Sequence, residues 1–362
     1  MPLTTGLQSH WRLEEQLGKF TTFQDIDGAI AMLDKRVIFW CRKLIASMIL
    51  LLIPAELVAR FALGLGNPPL YKRTAGYEYS NLPNQDVFRF GNHIFLNTQG
   101  LRNKPISTKP LPGTIRVLCL GDSITFGGVE TDQAKTYPYQ LQDILNHYSL
   151  KHFEVLNASV AGWAIGNEEA YLQKEGIYHS QIVVLEHRPD NLFRPKTSGE
   201  IVGHVNYPDR KPVLALEEGF FRYLLPNFLQ NFQAAQPSQL DAGIRTKYSE
   251  QDFKRNFASF DRIAKLVRAH KARLIVFLME QPDELEPKYA LIHLAKKELA
   301  EKAKELNIPY ADIAEDFQTS GGKKLFRDEI HPNPAGNTVI AKAVAKLIQS
   351  SLKTSNGVNK SP

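Results

Sequence analysis

The sequence predicts an α/β protein, a three-layer α/β/α sandwich around a central parallel sheet, preceded by an N-terminal apolar helix. Five apolar runs of strand length point to the sheet: IRVLCL (115–120), FEVLNAS (153–159), QIVVLE (181–186), RLIVFLM (273–279) and IPYADI (308–313). Between or after them lie YPYQLQDILNHY, NEEAYLQKEG, FKRNFASFDRIAKLVRAHK, YALIHLAKKELAEKAKEL and NTVIAKAVAKLIQSSL, all with apolar residues at helical spacing. Strands apolar on both faces need cover on both, and helical crossovers make neighbouring strands parallel. One apolar stretch stands apart, close to the N-terminus.

In chain order, a polar leader (residues 1–36) ends in Lys35 and Arg36. The segment VIFWCRKLIASMILLLIPAELVARFALGLG, residues 37–66, follows. Its charge-free part, Leu44 to Ala55, is short against the roughly 20 residues a bilayer crossing needs. The span lengthens if Arg42 and Lys43 snorkel to a cytoplasmic surface and Glu56 and Arg60 lie near the other, with Trp40 at an interface. A single-pass anchor is therefore expected, with basic residues inside and the rest of the chain extracytoplasmic. A cleaved signal peptide fits less well, because a long leader precedes the segment and no clear small-residue cleavage site follows it. The alternative is an amphipathic or buried helix of a soluble protein, and Pro54 and Glu56 both weaken the apolar run.

Residues 67–114 are rich in Asn, Pro, Tyr and Gly, with short alternating pieces such as VFRFG and HIFLN that read as small strands and turns. The sheet-and-helix rhythm occupies residues 115–352, interrupted by an insertion at 188–249. A polar tail, 353–362, is expected to be disordered.

The chain has 362 residues, 43% of them hydrophobic and 23% charged, enough for one full core plus flanking segments. Its formal charge is +6 and its basic residues are scattered, so nucleic acid is not an expected partner. Cys41 and Cys119 are the only cysteines, one in the apolar segment and one in a strand, so no disulfide framework is expected.

In an open parallel sheet, ligands collect at the carboxyl ends of the strands. GDSITFGG (121–128) directly follows the first long strand, so Ser123 emerges at that edge, with Gly121 allowing a tight turn and backbone amides free to face an anion. Alone, the same loop could cradle the phosphate of a flavin or nucleotide. RDEIHPNPAGN (327–337) places Asp328 three residues before His331, in a loop that Pro332 and Pro334 stiffen and from which Asn333 can cap the last helix. A serine hydroxyl needs a base beside it, and the base needs a carboxylate to hold its tautomer. An Asp-His pair by itself is more often an ordinary capping loop; together with GDS after the first strand it reads as hydrolase chemistry.

On these residues the chain resembles the SGNH (GDSL) hydrolases. GDSIT at 121–125 looks like their block I, Gly162 in NASVAGW like block II, and DEIH at 328–331 like block V, in matching order from about Ile115 to Leu352. The N-terminal region, with its apolar helix and NTQGLR (97–102), is similar to that of membrane-anchored relatives. The resemblance implies the flavodoxin-like SGNH fold, an ester or acyl substrate, no metal and no other cofactor. It also implies Ser123 as nucleophile, His331 as base and Asp328 as its orienting carboxylate, with the amides of Ser123 and Gly162 and a block III side chain holding the oxyanion.

Block III departs from the family's Gly-x-Asn-Asp. Here the stretch reads EHRPDNLF (186–193), and ungapped alignment puts Arg188 at the glycine, Asp190 at the asparagine and Asn191 at the aspartate. An ionised Asp190 is a poor oxyanion donor. Either Asn191 shifts inward, or Asp190 is protonated, or the hole runs on backbone amides with Arg188. Other features carry blander expectations. Glu186 and His187 are expected at the surface or rim of the sheet, Trp163 in simple packing, Cys119 in the core, and GFFRYLLPNFLQNF (219–232) across one end of the sheet, with a lid or a membrane contact as its alternative. Three functions follow: a membrane-tethered esterase acting on lipids or acylated envelope glycans, an O-acyltransferase using the same triad, and a silent binding protein if block III has lost its function.

Overall fold

The computed structural model describes residues 35–232, 249–279 and 290–358, so the leader expected at 1–36 lies almost wholly outside the described residues. The chain divides into two compact units, Met1–Leu57 and Val58–Pro362. In the first, α1 (Lys35–Leu57) is a single helix that continues past Pro54. It forms most of an apolar span, Val37–Ala62, of 26 residues. At 1.5 Å per residue that is about 39 Å, against roughly 30 Å of hydrocarbon, so the span is long and apolar enough to cross a bilayer. The charge-free core looked short because helical turns on either side add length that the apolar run does not show.

The second unit opens with a π-helical turn, Val58–Ala62. Ala59 and Leu65 are buried against Ala215, and the Gly64 carbonyl accepts a hydrogen bond from Arg89. The first compact unit thus ends at Leu57, short of residue 66, where the apolar segment ends in sequence. Hydropathy alone does not separate apolar residues that face lipid from those that pack on protein.

Two antiparallel hairpins follow, β1 (Tyr71–Thr74) with β2 (Glu78–Asn81) and β3 (Gln85–Arg89) with β4 (Asn92–Leu96). Then the sheet begins: β5 (Thr114–Leu120), the short α2 (Ser123–Phe126), α3 (Tyr137–Tyr148), β6 (His152–Asn157), α4 (Ile165–Glu175) and β7 (Ile182–His187). The expected insertion holds tight turns at Pro189–Phe193 and Gly199–Ile201, α5 (Ala215–Glu218), a π-helical turn Gly219–Leu224 and α6 (Leu225–Phe232). The chain resumes in α7 (Glu250–Ala269), β8 (Arg273–Leu278), α8 (Ala290–Glu305), β9 (Tyr310–Asp312), α9 (Ala314–Ser320) and α10 (Pro334–Val358). The last helix runs past Leu352 through residues expected to be disordered; 359–362 lie outside the described residues.

The sheet has the order β6-β5-β7-β8-β9, and all four pairings are parallel. Alternation along each strand feeds two cores. Leu118, Leu120, Val183, Leu185, Val276 and Leu278 face one layer, with Tyr171, Phe260, Ile263 and Leu299 of α4, α7 and α8. Val117, Cys119, Val184, Ile275 and Phe277 face the other, with Leu141, Phe317, Ile340 and Val344 of α3, α9 and α10. From β5 the chain goes first to β6 on one side and then to β7 on the other. Such a reversal opens a crevice at the carboxyl ends of the strands, which is where this topology places ligands.

Candidate active site

Three loops meet at that crevice. The first leaves β5. Asp122 caps α2, its carboxylate accepting from the Ile124 amide at 3.0 Å, and this sets Ser123 on the first helical turn. Gly121 is required for space rather than for its backbone angle. A Cβ there would stand 2.2 Å from Thr125 Oγ1 and 2.6 Å from Glu186 Oε2. At the other end of α2, Arg102 donates to the carbonyls of Phe126, Gly128 and Thr131, so the NTQGLR motif holds the loop after the serine.

The second loop comes from the far end of the chain. Asn333 caps α10, accepting from the amides of Ala335 and Gly336, and Asp328 accepts from the amides of Ile330 and His331 at 2.8 and 2.7 Å. His331 Nδ1 lies 2.9 and 3.0 Å from the Asp328 carboxylate oxygens, and Nε2 lies 2.9 Å from Ser123 Oγ. With Nδ1–H directed at the carboxylate, Nε2 is left as the acceptor facing the serine hydroxyl. Burial opposes ionisation of Asp328, but its hydrogen bonds with the His331 ring and the two amides outweigh it and hold the carboxyl well below the usual range. Arg327 ties this loop to the first, donating to the Gly127 carbonyl and to Thr131 Oγ1.

The third part is the Gly162 loop and the turn after β7. Gly162 adopts φ +80°, and a Cβ there would lie 2.5 Å from the Tyr207 hydroxyl. Its carbonyl accepts from Thr197 Oγ1 at 2.7 Å and Arg194 Nη2 at 3.4 Å, which fixes the peptide. Tyr79 braces the same loop, its hydroxyl donating to the Ala161 carbonyl and its own carbonyl accepting from Trp163 Nε1. Trp163 is fully buried and packs against Tyr77 and Tyr171.

Asp190 and Asn191 are both buried but play different parts. Asn191 Oδ1 accepts from Arg188 at 3.2 Å and Arg194 at 3.0 Å, which turns its Nδ2 toward the carboxylate of Asp122, 3.4 Å away, the residue before Ser123. Neither oxygen of Asp190 accepts a hydrogen bond among the described residues, and the Arg188 guanidinium stands 3.4 Å off. Burial opposes ionisation of Asp122, yet Arg188 and Arg194, with the Ile124 amide, hold its carboxyl below the usual range.

Glu186 and His187, expected at the surface or rim, are fully buried. They end the middle strand of a sheet covered on both faces, so even its last residues lie under helices. Behind Asp122 they meet Glu168 of α4, with His187 Nε2 3.6 Å from Glu168 Oε2. Burial, and then the charges of Glu186 and Asp122, push the Glu168 carboxyl well up, while burial pushes His187 down to about 4 against the pull of Asp122. Burial therefore works against the charged form of both partners in this contact. A folded-state pKa raised above the unfolded value of about 4.3 contributes stability that is lost as the pH rises. Glu168→Gln removes this contribution, so its stability relative to the parent should be greater at pH 8 than at pH 5. Urea unfolding of the detergent-solubilised chain at the two values measures this. An offset unchanged by pH would mean that Glu168 is ionised in the folded state.

Sequence reasoning singled out Ser123, Gly162, Asp328 and His331 but not Arg194, Tyr207, Tyr79 or Glu168. The second arginine in RPDNLFR was the available signal for Arg194; the others carry none without the fold.

The GDSL-like lipase/acylhydrolase family model matches residues 119–339. No curated protein matches the sequence. Among solved structures, the chain is similar to an acetyl xylan esterase, with 15% identity and a TM-score of 0.41 over 66% of this chain and 99% of that one. A GDSL-like lipase from Bacteroides thetaiotaomicron aligns with 14% identity and a TM-score of 0.38, over 67% and 92% of the two chains. A psychrotrophic esterase from Pseudoalteromonas sp. aligns with 15% identity and a TM-score of 0.37, over 66% and 98%. Since the family model spans more than half of the sequence, from the strand before Ser123 into the helix after His331, the chain belongs to the GDSL-like lipase/acylhydrolase family.

Proposed function

We propose that the chain is a membrane-tethered serine esterase that removes ester-linked acyl groups from a lipid or an acylated envelope glycan through an acyl-enzyme. The observation that carries this is the continuous path from Asp328 through His331 to Ser123 Oγ, with 2.9 Å on either side of the imidazole. Ser123 Oγ attacks the ester carbonyl while His331 Nε2 takes its proton, and the imidazolium formed is stabilised by Asp328. The negative carbonyl oxygen is held by the amides of Ser123 and Gly162 and by the Asn191 side chain. Collapse expels the alcohol, which takes the proton from His331. Water, deprotonated by His331 in turn, then attacks the acyl-Ser123 carbonyl and releases the acid and the free serine.

The apolar span supports the tether, and Lys35, Arg36, Arg42 and Lys43 at its N-terminal end support a cytoplasmic N-terminus with the second unit outside. The test is hydrolysis of p-nitrophenyl esters across a range of acyl lengths by the detergent-solubilised full chain, with Ser123→Ala as control. Activity in the parent and none in the variant supports the proposal. Activity equal in both sinks it, and acyl transfer to an added glycan outpacing hydrolysis would identify a transferase instead.

A further inference from the structure

The GFFRYLLPNFLQNF stretch does not cover an end of the sheet. It joins a small module at the point where the apolar span enters the second unit. On the inside of that module, Ala59, Leu65 and Ala215 are buried together, with Leu216 and Tyr223 packed on them. A buried ion pair locks it. Arg89 pairs with Glu218 and also donates to the Gly64 carbonyl and the Tyr223 hydroxyl, while Glu218 Oε2 accepts from the Gly66 amide. Both partners of the pair are buried, so removing either would leave an uncompensated buried charge, and the module is held as one piece. Phe90 at the β3–β4 tip lies edge-on to Tyr223.

Its outer side carries exposed apolar side chains. Phe61 is 74% exposed, Leu224 65%, Phe228 58% and Phe221 54%, with Phe220 and Leu229 about half exposed beside them. Phe221, Leu224 and Phe228 lie along the continuous helical stretch formed by the π-helical turn Gly219–Leu224 and α6. Exposed large apolar side chains gathered in one region mark an interaction surface. The partner is set by the chain itself. Residues Val58–Ala62 belong both to the apolar span and to this module, whose Ala59 is buried in it while Phe61 faces out. A bilayer that holds the span as far as Ala62 therefore reaches residues of this module.

We propose that the face carrying Phe61, Phe220, Phe221, Leu224, Phe228 and Leu229 is seated in the interfacial layer of the bilayer. It lies flat as an amphipathic helix does and fixes the second unit against the membrane instead of leaving it on a free tether. The inference rests on the membrane anchor proposed above. It is tested on the full chain carrying Cys41→Ser, since the other cysteine, Cys119, is buried. Phe221→Cys, Leu224→Cys, Phe228→Cys and, as a control, the exposed Tyr148→Cys are each labelled with an environment-sensitive fluorophore. Each protein is reconstituted in vesicles of phosphatidylcholine and phosphatidylglycerol. Nitroxide-bearing lipids should quench the labels at 221, 224 and 228 several-fold more than the label at 148, and aqueous iodide should show the reverse order. Alkaline extraction is run first: a chain that leaves the vesicles overturns the anchor and this inference together. A chain that stays while iodide reaches all four labels overturns this inference alone. Labels at 221, 224 and 228 shielded from both quenchers also overturn it, because a second copy or residues 233–248 then cover the face.

Discussion

Ser123→Ala and His331→Ala should each lower ester hydrolysis by on the order of 10⁴ to 10⁶, and the double variant should be scarcely worse than either alone. The reason lies in the 2.9 Å contact between Ser123 Oγ and His331 Nε2. A hydroxyl without its base is not ionised at neutral pH, and a base without its nucleophile has no proton to take, so removing either disables the same step. Whatever activity remains comes from substrate binding and oxyanion stabilisation, which neither substitution touches. The measurement is kcat/KM on one p-nitrophenyl ester for the parent, both single variants and the double variant. Losses that multiply would show that the two residues act independently and would remove the basis for a triad.

The second large effect concerns block III. Asn191→Ala should lower kcat by on the order of 10² to 10³ with KM little changed, because an oxyanion donor acts on charge that develops only in the transition state. Asp190→Asn should change turnover only a few-fold. The two arginines make the difference. By donating to Asn191 Oδ1, Arg188 and Arg194 turn its Nδ2 toward the carboxylate of Asp122, the residue before Ser123, whereas the Asp190 carboxylate faces the Arg188 guanidinium at 3.4 Å. Arg194→Met should accordingly lower kcat by less than Asn191→Ala, since the amide remains but loses one of the two groups that orient it. Turnover raised by Asp190→Asn, more so at high pH, would instead put the Asp190 carboxylate at the oxyanion. Indifference to both substitutions would leave the amides of Ser123 and Gly162 as its donors.

Much of this was legible in the residues alone because the signals are local. The five strands and the helices between them follow from side-chain period, and α3 begins and ends at the residues its pattern marks, Tyr137 and Tyr148. Ser123, Asp328 and His331 were legible because a glycine-flanked serine after a strand and an Asp-His pair before a helix each state a local geometry. Boundaries fared worse where composition is ambiguous. The span and the residues packed beneath Ala215 are equally apolar, so the anchor ran on to residue 66 in sequence, and the polar residues after Leu352 gave no sign that α10 continues to Val358.

By itself, the sequence determined the α/β/α class, the order of the elements, the apolar span and the residues able to carry acyl chemistry, since each depends on neighbours within a few positions. The tertiary structure decided what depends on approach between distant segments. It brought His331 onto Ser123 across 208 positions, made Asn191 the member of its pair turned toward Asp122, and buried Glu186 and His187 beneath the helices. It also left Phe220, Phe221, Leu224, Phe228 and Leu229 exposed while packing Tyr223 on Ala59, Leu65 and Ala215. Periodicity reports which face of an element is apolar. What that face meets is settled only when the chain closes on itself, because burial and hydrogen-bond partners belong to the whole packing and not to any one segment.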